Sequence, residues 1–362
     1  MRAARENKWG ATAMHRMSII VPMYNVEEFV GVCIRSIVES ARKADHAAEI
    51  EVVLVDDAST DRSLELAECE LRSSAVSFKT LRHITNQGVG QARRTGCGAA
   101  DGEFLWYVDP DDEITETAVQ TVFSSLDAIP EHGFAEYPRI LWETERGVRR
   151  PPDYFVGSAP GGRIHADGAP ISTAEYAEQL LLRRVPGVVW TKIFRRSILT
   201  PDIVDTSRQS EDLVTLFQVL DRQPTVLFRY DAIYVYRQRN GSLTTGRQYQ
   251  RGSHDAYEKC LAIARNSAWF EIESVPASKF FEISRIAVPR LQALASVGSL
   301  RQFLSYFRSV TRSLDHEDRL TLREPGYLGE GRTSRQARLI IWSRKAWMLS
   351  AIPLYVYGRF RS

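Results

Sequence analysis

The fold is decided by residues 50–61, which read Ile-Glu-Val-Val-Leu-Val-Asp-Asp-Ala-Ser-Thr-Asp. The run from Ile50 to Val55 is mostly branched and apolar, which is typical of a strand buried on both faces. Two carboxylates follow at once, and Ser59 then opens a set of residues that favour the start of a helix. Because ligands bind beyond the carboxyl ends of parallel strands, these polar residues indicate a functional edge.

The same pattern of a strand followed by a helix recurs on both sides of this segment. Apolar runs predict further strands at 18–22, where Pro22 ends the run, near 76–84, and over 103–108. Apolar residues at helical spacing follow each of the first three strands. This alternation predicts the α/β class, a Rossmann-like and mostly parallel sheet flanked by helices.

The chain changes character in its second half. Residues 149–170 are rich in proline, glycine and arginine, so we expect a long surface excursion there. Two short strands are predicted within 226–237, and helical patterns alone follow residue 251. The expected organisation is a flexible segment over 1–16, a catalytic-type α/β domain over 17–240, and a helical C-terminal extension over 241–362.

Composition narrows the class of protein. The chain has 362 residues, 44% of them hydrophobic, with 47 basic and 45 acidic side chains and a net charge of +2. This is ordinary globular composition, and the near-neutral charge gives no sign of a general nucleic-acid binder. The four cysteines form no CxxC pair, and no uncharged apolar run reaches the roughly 18 residues of a spanning helix. We expect a cytoplasmic protein that binds no nucleic acid.

The loop Asp109-Pro-Asp-Asp112 carries three carboxylates directly after a predicted strand. Their mutual repulsion makes ionisation of all three costly unless a cation lies among them. Oxygen ligands suit magnesium or manganese, which often bridge to substrate phosphates. The alternative is that Asp112 or Thr115 only caps the following helix.

Two common nucleotide-binding motifs are absent from the sequence. A dinucleotide site needs a glycine-rich turn directly after the first strand, where this chain has Pro22 and Tyr24. Gly88-Val-Gly90 comes after the third strand and lacks the required spacing, and no GxxxxGK[ST] segment occurs. A carboxylate near Asp57 could still accept from a nucleobase N–H while Tyr24 stacks on the base; helix capping by residues 59–61 is the competing interpretation.

Four of these segments, taken together, resemble the successive motifs of the family 2 glycosyltransferases. They are residues 18–25, 55–61, 86–96 and 108–112, in the family's order and at comparable spacing. The resemblance is strong over 17–125 and looser to about 240, where 189–196 and 210–213 are similar to acceptor-side segments of capsule and exopolysaccharide members. Two residues depart from the family pattern: Arg94 stands where the family usually has Asn, and Pro110 where Ser is common.

The resemblance implies a GT-A fold and a donor site for a nucleotide-sugar, with UDP favoured. By position it implies that Pro22, Tyr24 and Asn25 line the donor's base pocket and that Asp57 accepts from uracil N3. It also implies that Arg93 approaches the diphosphate.

The resemblance further implies a Mn²⁺ or Mg²⁺ site and an acceptor site. Asp109 and Asp111 would form the metal-binding Asp-x-Asp, with Asp109 also on the donor and Asp112 as a substitute ligand. Asp212 would be the general base of an inverting hexosyl transfer. Trp190, Lys192 and Glu211 would lie on the acceptor side. Two alternatives stay open: Glu211 and Asp212 only favour the first turn of a helix, and Trp190 only packs in the core.

The carboxyl-terminal segment 331–362 holds seven basic side chains and no acidic one, with Trp and Tyr among apolar residues. This pattern suits an interfacial anchor on an anionic membrane, and the alternative is a last helix docked on the protein. The function favoured by the sequence is transfer of a sugar to a saccharide or lipid-linked acceptor in bacterial surface polysaccharide synthesis, at the inner face of the plasma membrane. Its rival is a non-catalytic nucleotide-sugar-binding or scaffold protein with the same fold. A nucleotidyltransferase is disfavoured, because the glycine- and lysine-rich loop that it needs is missing.

Overall fold

The computed structural model describes residues 15–143, 149–150, 165–182, 184–237, 247–271, 274–287, 291 and 300–313. The segment before residue 15, the centre of the expected surface excursion and the whole of 331–362 lie outside these residues. Contacts divide the chain into two compact units. The first contains the described residues of 1–155, 165–173 and 186–246, and the second those of 174–185 and 247–362.

The amino-terminal part of the first unit alternates strands and helices as the sequence predicted. In chain order the elements are β1 (Met17–Met23), α1 (Val30–Lys43), β2 (Ile50–Asp56), α2 (Ser63–Arg72), β3 (Ser77–Arg82), α3 (Val89–Ala99), β4 (Phe104–Tyr107), β5 (Glu113–Ile114) and α4 (Ala118–Ser125). The elements that follow, up to residue 237, are β6 (Gly133–Glu136), β7 (Ile140–Glu143), β8 (Arg149–Arg150), β9 (Pro170–Ile171), α5 (Thr173–Leu181), β10 (Lys192–Arg195), α6 (Glu211–Asp221), β11 (Thr225–Phe228) and β12 (Tyr234–Arg237).

These strands form two sheets. The larger has the order β3-β2-β1-β4-β10-β6-β11-β9, and the smaller has the order β5-β12-β7-β8. The strands β1 to β4 pair in parallel, while β10 runs antiparallel to both of its neighbours. The α/β class with a mostly parallel sheet flanked by helices is therefore confirmed. The smaller sheet is an addition, because the sequence signalled β12 but not its partners.

Strand β1 does not end at Pro22, contrary to the prediction, but continues to Met23. The backbone oxygen of Met23 accepts from Asp57 N on the β2 side, so the Pro22 nitrogen faces the opposite side. Pairing with β4 has already ended there, since its last pair is Ile20 with Tyr107. The missing amide hydrogen of proline is tolerated at such an open edge.

The core of this unit lies between the sheet and its helices. All seven residues of β1 and all seven of β2 are buried. Helix α1 buries Val30, Cys33, Ile34, Ile37 and Ala41, which is the predicted apolar face. Each large aliphatic side chain of this kind contributes about 1.5–3 kcal/mol when it is fully buried.

The start of α3 depends on two glycines. Gly88 has φ of +93°, a conformation that L side chains rarely adopt. A Cβ on Gly90 would lie 2.5 Å from the backbone oxygen of Asp205. The Gly88-Val-Gly90 segment therefore serves a turn and a close backbone approach, and not a dinucleotide.

The second unit is helical in its described residues. Besides most of α5, it contains α7 (Arg247–Asn266), α8 (Ser274–Phe281), a π-helical stretch at Glu282–Ala287, and α9 (Leu300–Ser313). The helical patterns predicted after residue 251 are found in these helices, while the boundary of a C-terminal extension at residue 241 stays a prediction. Within the part of the chain that the structure describes, no helix combines the length and the apolar character that crossing a membrane requires.

Candidate active site

Several predicted site residues, Tyr24, Asn25, Asp57 and Asp109, follow strands β1, β2 and β4 at the carboxyl edge of the larger sheet. Since β1 pairs with β2 on one side and β4 on the other, the loops that follow these three strands are neighbours. Asn25 N donates to Ser59 Oγ at 3.1 Å, and Thr60 N donates to Asn25 Oδ1 at 2.9 Å. These bonds join the loop after β1 to the loop after β2, as the topology predicts.

The residues predicted to line the base pocket differ in accessibility. Pro22 is buried within β1, whereas Tyr24 exposes 46% of its surface. Asn25 has φ of +49°, which turns the chain directly after Tyr24. Of these three residues, Tyr24 offers a ring face on which a planar group can stack.

Asp57 is almost fully buried and is engaged inside the protein. Its carboxylate accepts from His83 Nδ1 at 2.6 Å, from Gln87 N at 2.9 Å and from Gly88 N at 2.7 Å. Asp57 thus holds the turn that begins α3. Contact with a uracil N–H remains a prediction, because this carboxylate makes three internal hydrogen bonds before any ligand binds. His83 was missed, since a lone histidine after a strand carries no recognisable signal.

Arg93, which the resemblance implied would approach the diphosphate, is surrounded by carboxylates, and its contact with a diphosphate stays a prediction. Its Nη2 donates to Asp109 Oδ1 at 2.8 Å, and its Nη1 donates to Glu211 Oε1 at 2.8 Å and also to Asp212 Oδ1. Arg93 is 4% exposed. Burial lowers the pKa of this guanidinium, but the carboxylates of Asp212, Asp109 and Glu211 outweigh burial and raise it well above its usual value. The physical reason is that three carboxylates hydrogen-bond one buried guanidinium and stabilise its charged form.

Asp212 occupies the first turn of α6 and is 14% exposed. Burial raises the pKa of this carboxyl to about 7; Arg93 opposes the shift, and Glu211 and Asp109 add to it. Its second oxygen accepts from Val189 N at 3.4 Å. Ser210 precedes it with φ of +55° and makes no capping hydrogen bond through its side chain. Glu211 and Asp212 do lie in the first turn of α6, so the alternative that they only favour this turn stays open beside the proposed role.

The Asp109-Pro-Asp-Asp112 loop separates into two parts. Asp112 is 1% exposed, and its oxygens accept from Tyr234 Oη and from Arg237 N, both at 2.9 Å. The Tyr234 hydroxyl also accepts from Asp109 N at 3.0 Å. Burial and the charges of Asp111 and Asp109 raise the pKa of Asp112 well above its usual value. The prediction that Asp112 is a substitute metal ligand is not supported, because both of its oxygens secure the loop.

Asp109 and Asp111 are both partly exposed, and they fit the donor set that a divalent cation prefers. Throughout the described ranges, no cluster of three or more His, Cys, Asp or Glu side chains is arranged to hold a metal ion. A three-carboxylate site is therefore not formed. Two carboxylates are sufficient for a cation that takes its remaining ligands from substrate phosphates and water.

The residues predicted on the acceptor side are largely internal. The Trp190 ring stacks on Tyr234 with centroids 4.3 Å apart, and Trp190 is 7% exposed. Lys192 is fully buried; its Nζ lies 2.7 Å from Glu136 and donates to the backbone oxygens of Pro186 and Val188. Burial lowers the pKa of Lys192. A role of Lys192 on the acceptor side stays a prediction, and its ammonium is enclosed by protein oxygens.

The arrangement combines three chemical elements within one edge of the sheet. They are a stacking surface at Tyr24, a pair of partly exposed carboxylates at Asp109 and Asp111, and a carboxyl with a pKa of about 7 at Asp212. Arg93 connects the last two of these through its bonds to Asp109 and Asp212. Such a set can bind a nucleotide with a cation and accept a proton from a hydroxyl.

Comparison with known proteins finds similarity to glycosyltransferases. The family described as "Glycosyl transferase family 2" matches residues 18–152. The uncharacterized glycosyltransferase EpsJ of Bacillus subtilis (strain 168) is 28% identical over 237 residues, which are 63% of this chain and 62% of EpsJ. TarS of Staphylococcus aureus, a poly(ribitol-phosphate) beta-N-acetylglucosaminyltransferase, is 34% identical over 148 residues, 41% of this chain and 24% of TarS. The chain thus spans less than two thirds of the length of these two relatives.

Solved structures show the same fold. S. aureus TarS 1-349 in complex with UDP-GlcNAc has a TM-score of 0.65 at 18% identity, covering 95% of this chain and 90% of that one. The mannosyltransferase PcManGT from Pyrobaculum calidifontis has a TM-score of 0.52 at 14% identity, covering 94% and 87% of the two chains. The predicted GT-A fold is confirmed.

Proposed function

We propose that this chain, whose residues 18–152 form a family 2 glycosyltransferase domain, transfers a hexose from a nucleotide-sugar to an acceptor hydroxyl with inversion at the anomeric carbon. The observation that carries the proposal is the single guanidinium of Arg93, which hydrogen-bonds Asp109 of the predicted cation site and Asp212, the predicted base. The catalytic domain would run from about 17 to 240 and the helical extension from 241 to 362.

The proposed donor is a UDP-sugar. Tyr24 is the exposed ring at the sheet edge, and the Asp57 loop borders it through the bonds between Asn25 and residues 59–60. The TarS structure of the same fold contains UDP-GlcNAc, which supports uridine as the nucleoside. Arg94 donates through Nε and Nη2 to the backbone oxygen of Val204, so the unusual residue at this position acts within the protein and does not argue for another donor.

The proposed cofactor is Mn²⁺ or Mg²⁺, held by Asp109 and Asp111. PcManGT, with the same fold, was solved with GDP-Man and Mn²⁺, which supports a divalent cation. When bound, the cation supplies positive charge to the departing diphosphate. Arg93 fixes the orientation of Asp109 by its bond to Oδ1, and Tyr234 fixes the backbone of the same residue.

Asp212 is proposed as the general base. One displacement suffices for inversion: the acceptor oxygen forms the new bond to the anomeric carbon, and its proton passes to Asp212. The bond from the anomeric carbon to the β-phosphate oxygen breaks, and the nucleoside diphosphate leaves with the electron pair. A pKa near 7 suits a base at neutral pH, because its deprotonated form is available and still basic.

The proposed acceptor is a saccharide or lipid-linked saccharide of the bacterial cell surface. TarS acts on poly(ribitol-phosphate), and a further relative from Borreliella burgdorferi is a cholesterol galactosyltransferase, 25% identical over 245 residues. Polymeric and lipid acceptors thus both occur among the relatives. The basic, aromatic segment 331–362, which lies outside the described residues, is proposed to bind the anionic inner face of the membrane.

A donor screen tests the enzymatic proposal. Purified chain with Mn²⁺ is given UDP-, GDP- and dTDP-sugars and a membrane extract as acceptor, and nucleotide release is measured. Release from a UDP-sugar that requires both the cation and the extract is expected. Binding of the nucleotide-sugar without release under any of these conditions would favour the rival, a non-catalytic binding protein.

A vesicle assay tests the membrane proposal. The chain is expected to sediment with vesicles that contain anionic lipid and not with neutral vesicles. Removal of residues 331–362, or reversal of charge at Arg335, Arg338 and Arg344, should abolish sedimentation. Equal sedimentation of the native and altered chains would remove this segment from membrane binding.

A further inference from the structure

His83 connects two elements that form the nucleoside end of the proposed donor site. It follows β3 directly, and its side chain is 9% exposed. Its Nδ1 lies 2.6 Å from Asp57 Oδ1 in the loop after β2, and its Nε2 lies 2.9 Å from Thr95 Oγ1 on helix α3. The backbone of His83 also donates to the oxygen of Asp56 at 2.9 Å.

The chemistry of the partners determines how the hydrogens are arranged. An ionised carboxylate only accepts, so Nδ1 carries the hydrogen that is directed to Asp57. In the neutral ring, Nε2 then accepts from the hydroxyl of Thr95. The imidazole is therefore held at both nitrogens and presents neither of them to a ligand.

The hydrogen bond from His83 to Asp57 affects two segments of the proposed donor site. Asp57 accepts from Gln87 N and Gly88 N, so its position determines how the chain enters α3. On the other side of the same loop, Ser59 receives the hydrogen bond from Asn25, the residue after Tyr24. A shift of Asp57 would move both the α3 turn and the loop that carries the stacking ring.

Helix α3 extends the connection to the reacting groups. Thr95 lies two residues after Arg93, whose guanidinium holds Asp109 and Asp212. The imidazole of His83 thus ties the helix that bears Arg93 to the loop that borders the base.

We infer that His83 is a positioning residue for donor binding: it holds Asp57 and the α3 turn in the geometry that accepts the nucleoside of the donor. The inference rests on the proposed function. His83 touches no reacting atom, so its loss should weaken nucleotide binding and raise the KM for the donor, while kcat at saturating donor stays nearly constant.

Calorimetric titration of the full chain with UDP and Mn²⁺ tests this inference. His83→Asn keeps an N–H near the position of Nδ1 and so keeps the bond to Asp57, whereas His83→Ala removes both bonds. We expect His83→Ala to weaken UDP binding about tenfold, as for loss of one charge-assisted hydrogen bond, and His83→Asn to recover most of it. In the transfer assay the donor KM should follow the same order, with kcat within about twofold of native.

The matched control is His46→Ala, because His46 stacks on Phe123 and bonds Glu49 just before β2 begins, at the opposite edge of the sheet. This control should bind UDP like the native chain. If His83→Ala does not fold, as judged by its melting transition, His83→Gln replaces it; Gln reaches toward Thr95 and should bind UDP more weakly than His83→Asn.

Three results would overturn the inference while leaving the proposed function in place. They are native-like UDP binding by His83→Ala, equal binding by His83→Asn and the variant without the Asp57 bond, and equal weakening by His46→Ala. If the native chain binds no nucleoside diphosphate, the proposed function fails and this inference fails with it.

Discussion

Arg93 Nη2 lies 2.8 Å from Asp109 Oδ1, so the guanidinium at the centre of α3 is hydrogen-bonded to the first carboxylate after β4. The other terminal nitrogen of the same guanidinium serves Glu211 and Asp212 at the start of α6. One buried side chain therefore connects the proposed cation site with the proposed base.

Two replacements of Arg93 should distinguish the effect of its positive charge from the effect of its hydrogen-bond geometry. Arg93→Met leaves three carboxylates without their cation and should lower the free energy of unfolding by about 3–5 kcal/mol. Arg93→Lys keeps the charge but has one nitrogen in place of the two that reach Asp109 and Asp212 separately, so it should cost less stability and still impair transfer. Urea unfolding with a transfer assay measures both effects; a native-like midpoint for Arg93→Met would contradict the assigned role.

The pH dependence of transfer should report Asp212. Its pKa is raised to about 7, chiefly by burial, so below that pH the carboxyl holds a proton and cannot accept another. We expect kcat at saturating donor to fall about tenfold per pH unit below about 7. A profile that stays flat down to pH 5 would exclude Asp212 as the base.

The free energy of unfolding should also depend on pH through Asp212, and the raised pKa fixes the direction of that dependence. A carboxyl whose pKa is raised in the folded state binds its proton more tightly there than in the unfolded chain. Asp212 therefore lowers the free energy of unfolding as pH rises from about 4 to about 7. Asp212→Asn should remove this contribution to the pH dependence of that free energy. Urea midpoints of the two proteins between pH 4 and 8 measure it, and parallel slopes would contradict the assignment.

Removal of the Tyr234 hydroxyl should destabilise the protein more than removal of the Tyr236 hydroxyl on the same strand. Tyr234→Phe leaves Asp109 N and Asp112 Oδ2 without their partner, and one such buried loss costs about 1–3 kcal/mol. Tyr236→Phe, two residues along β12 and half-buried, should change stability by less than about 0.5 kcal/mol. Thermal unfolding and transfer assays of both variants measure the difference, and equal effects would remove Tyr234 from the support of the loop.

Ala58 adopts φ of +65° directly after Asp57. A side chain in this left-handed region is strained, so Ala58→Gly should stabilise the protein by about 0.5–1 kcal/mol. The control Ala44→Gly, where φ is −79°, should give no gain. Chemical unfolding compares the two substitutions, and a loss of stability in Ala58→Gly would show that the strain is absent.

The fold was predictable because its signals are local. Strand β2 is mostly apolar and α1 repeats its buried residues at helical spacing, so neither signal depends on distant parts of the chain. The predicted end of β1 at Pro22 was wrong, because tolerance of proline in β1 depends on where pairing with β4 ends.

The candidate site was predictable in its residue types and less so in its contacts. The carboxylates of Asp109 and Asp212 could be recognised, but Arg93 and Asp212 are 119 residues apart in the chain and meet only in the folded structure. The burial of Asp112 and Lys192 could not be foreseen for the same reason, because their partners Tyr234 and Glu136 come from other strands. A charge in the sequence does not reveal whether its partner is a ligand or the protein.

The most direct test of the proposed mechanism is Asp212→Asn, with transfer and UDP binding measured on the same preparation. Asp221→Asn at the other end of α6 is the matched control. We expect Asp212→Asn to lower kcat by about 10²–10⁴-fold while UDP and Mn²⁺ bind as they do to the native chain, and the control to transfer normally. Retained transfer by Asp212→Asn would contradict the assignment of this carboxyl as the general base.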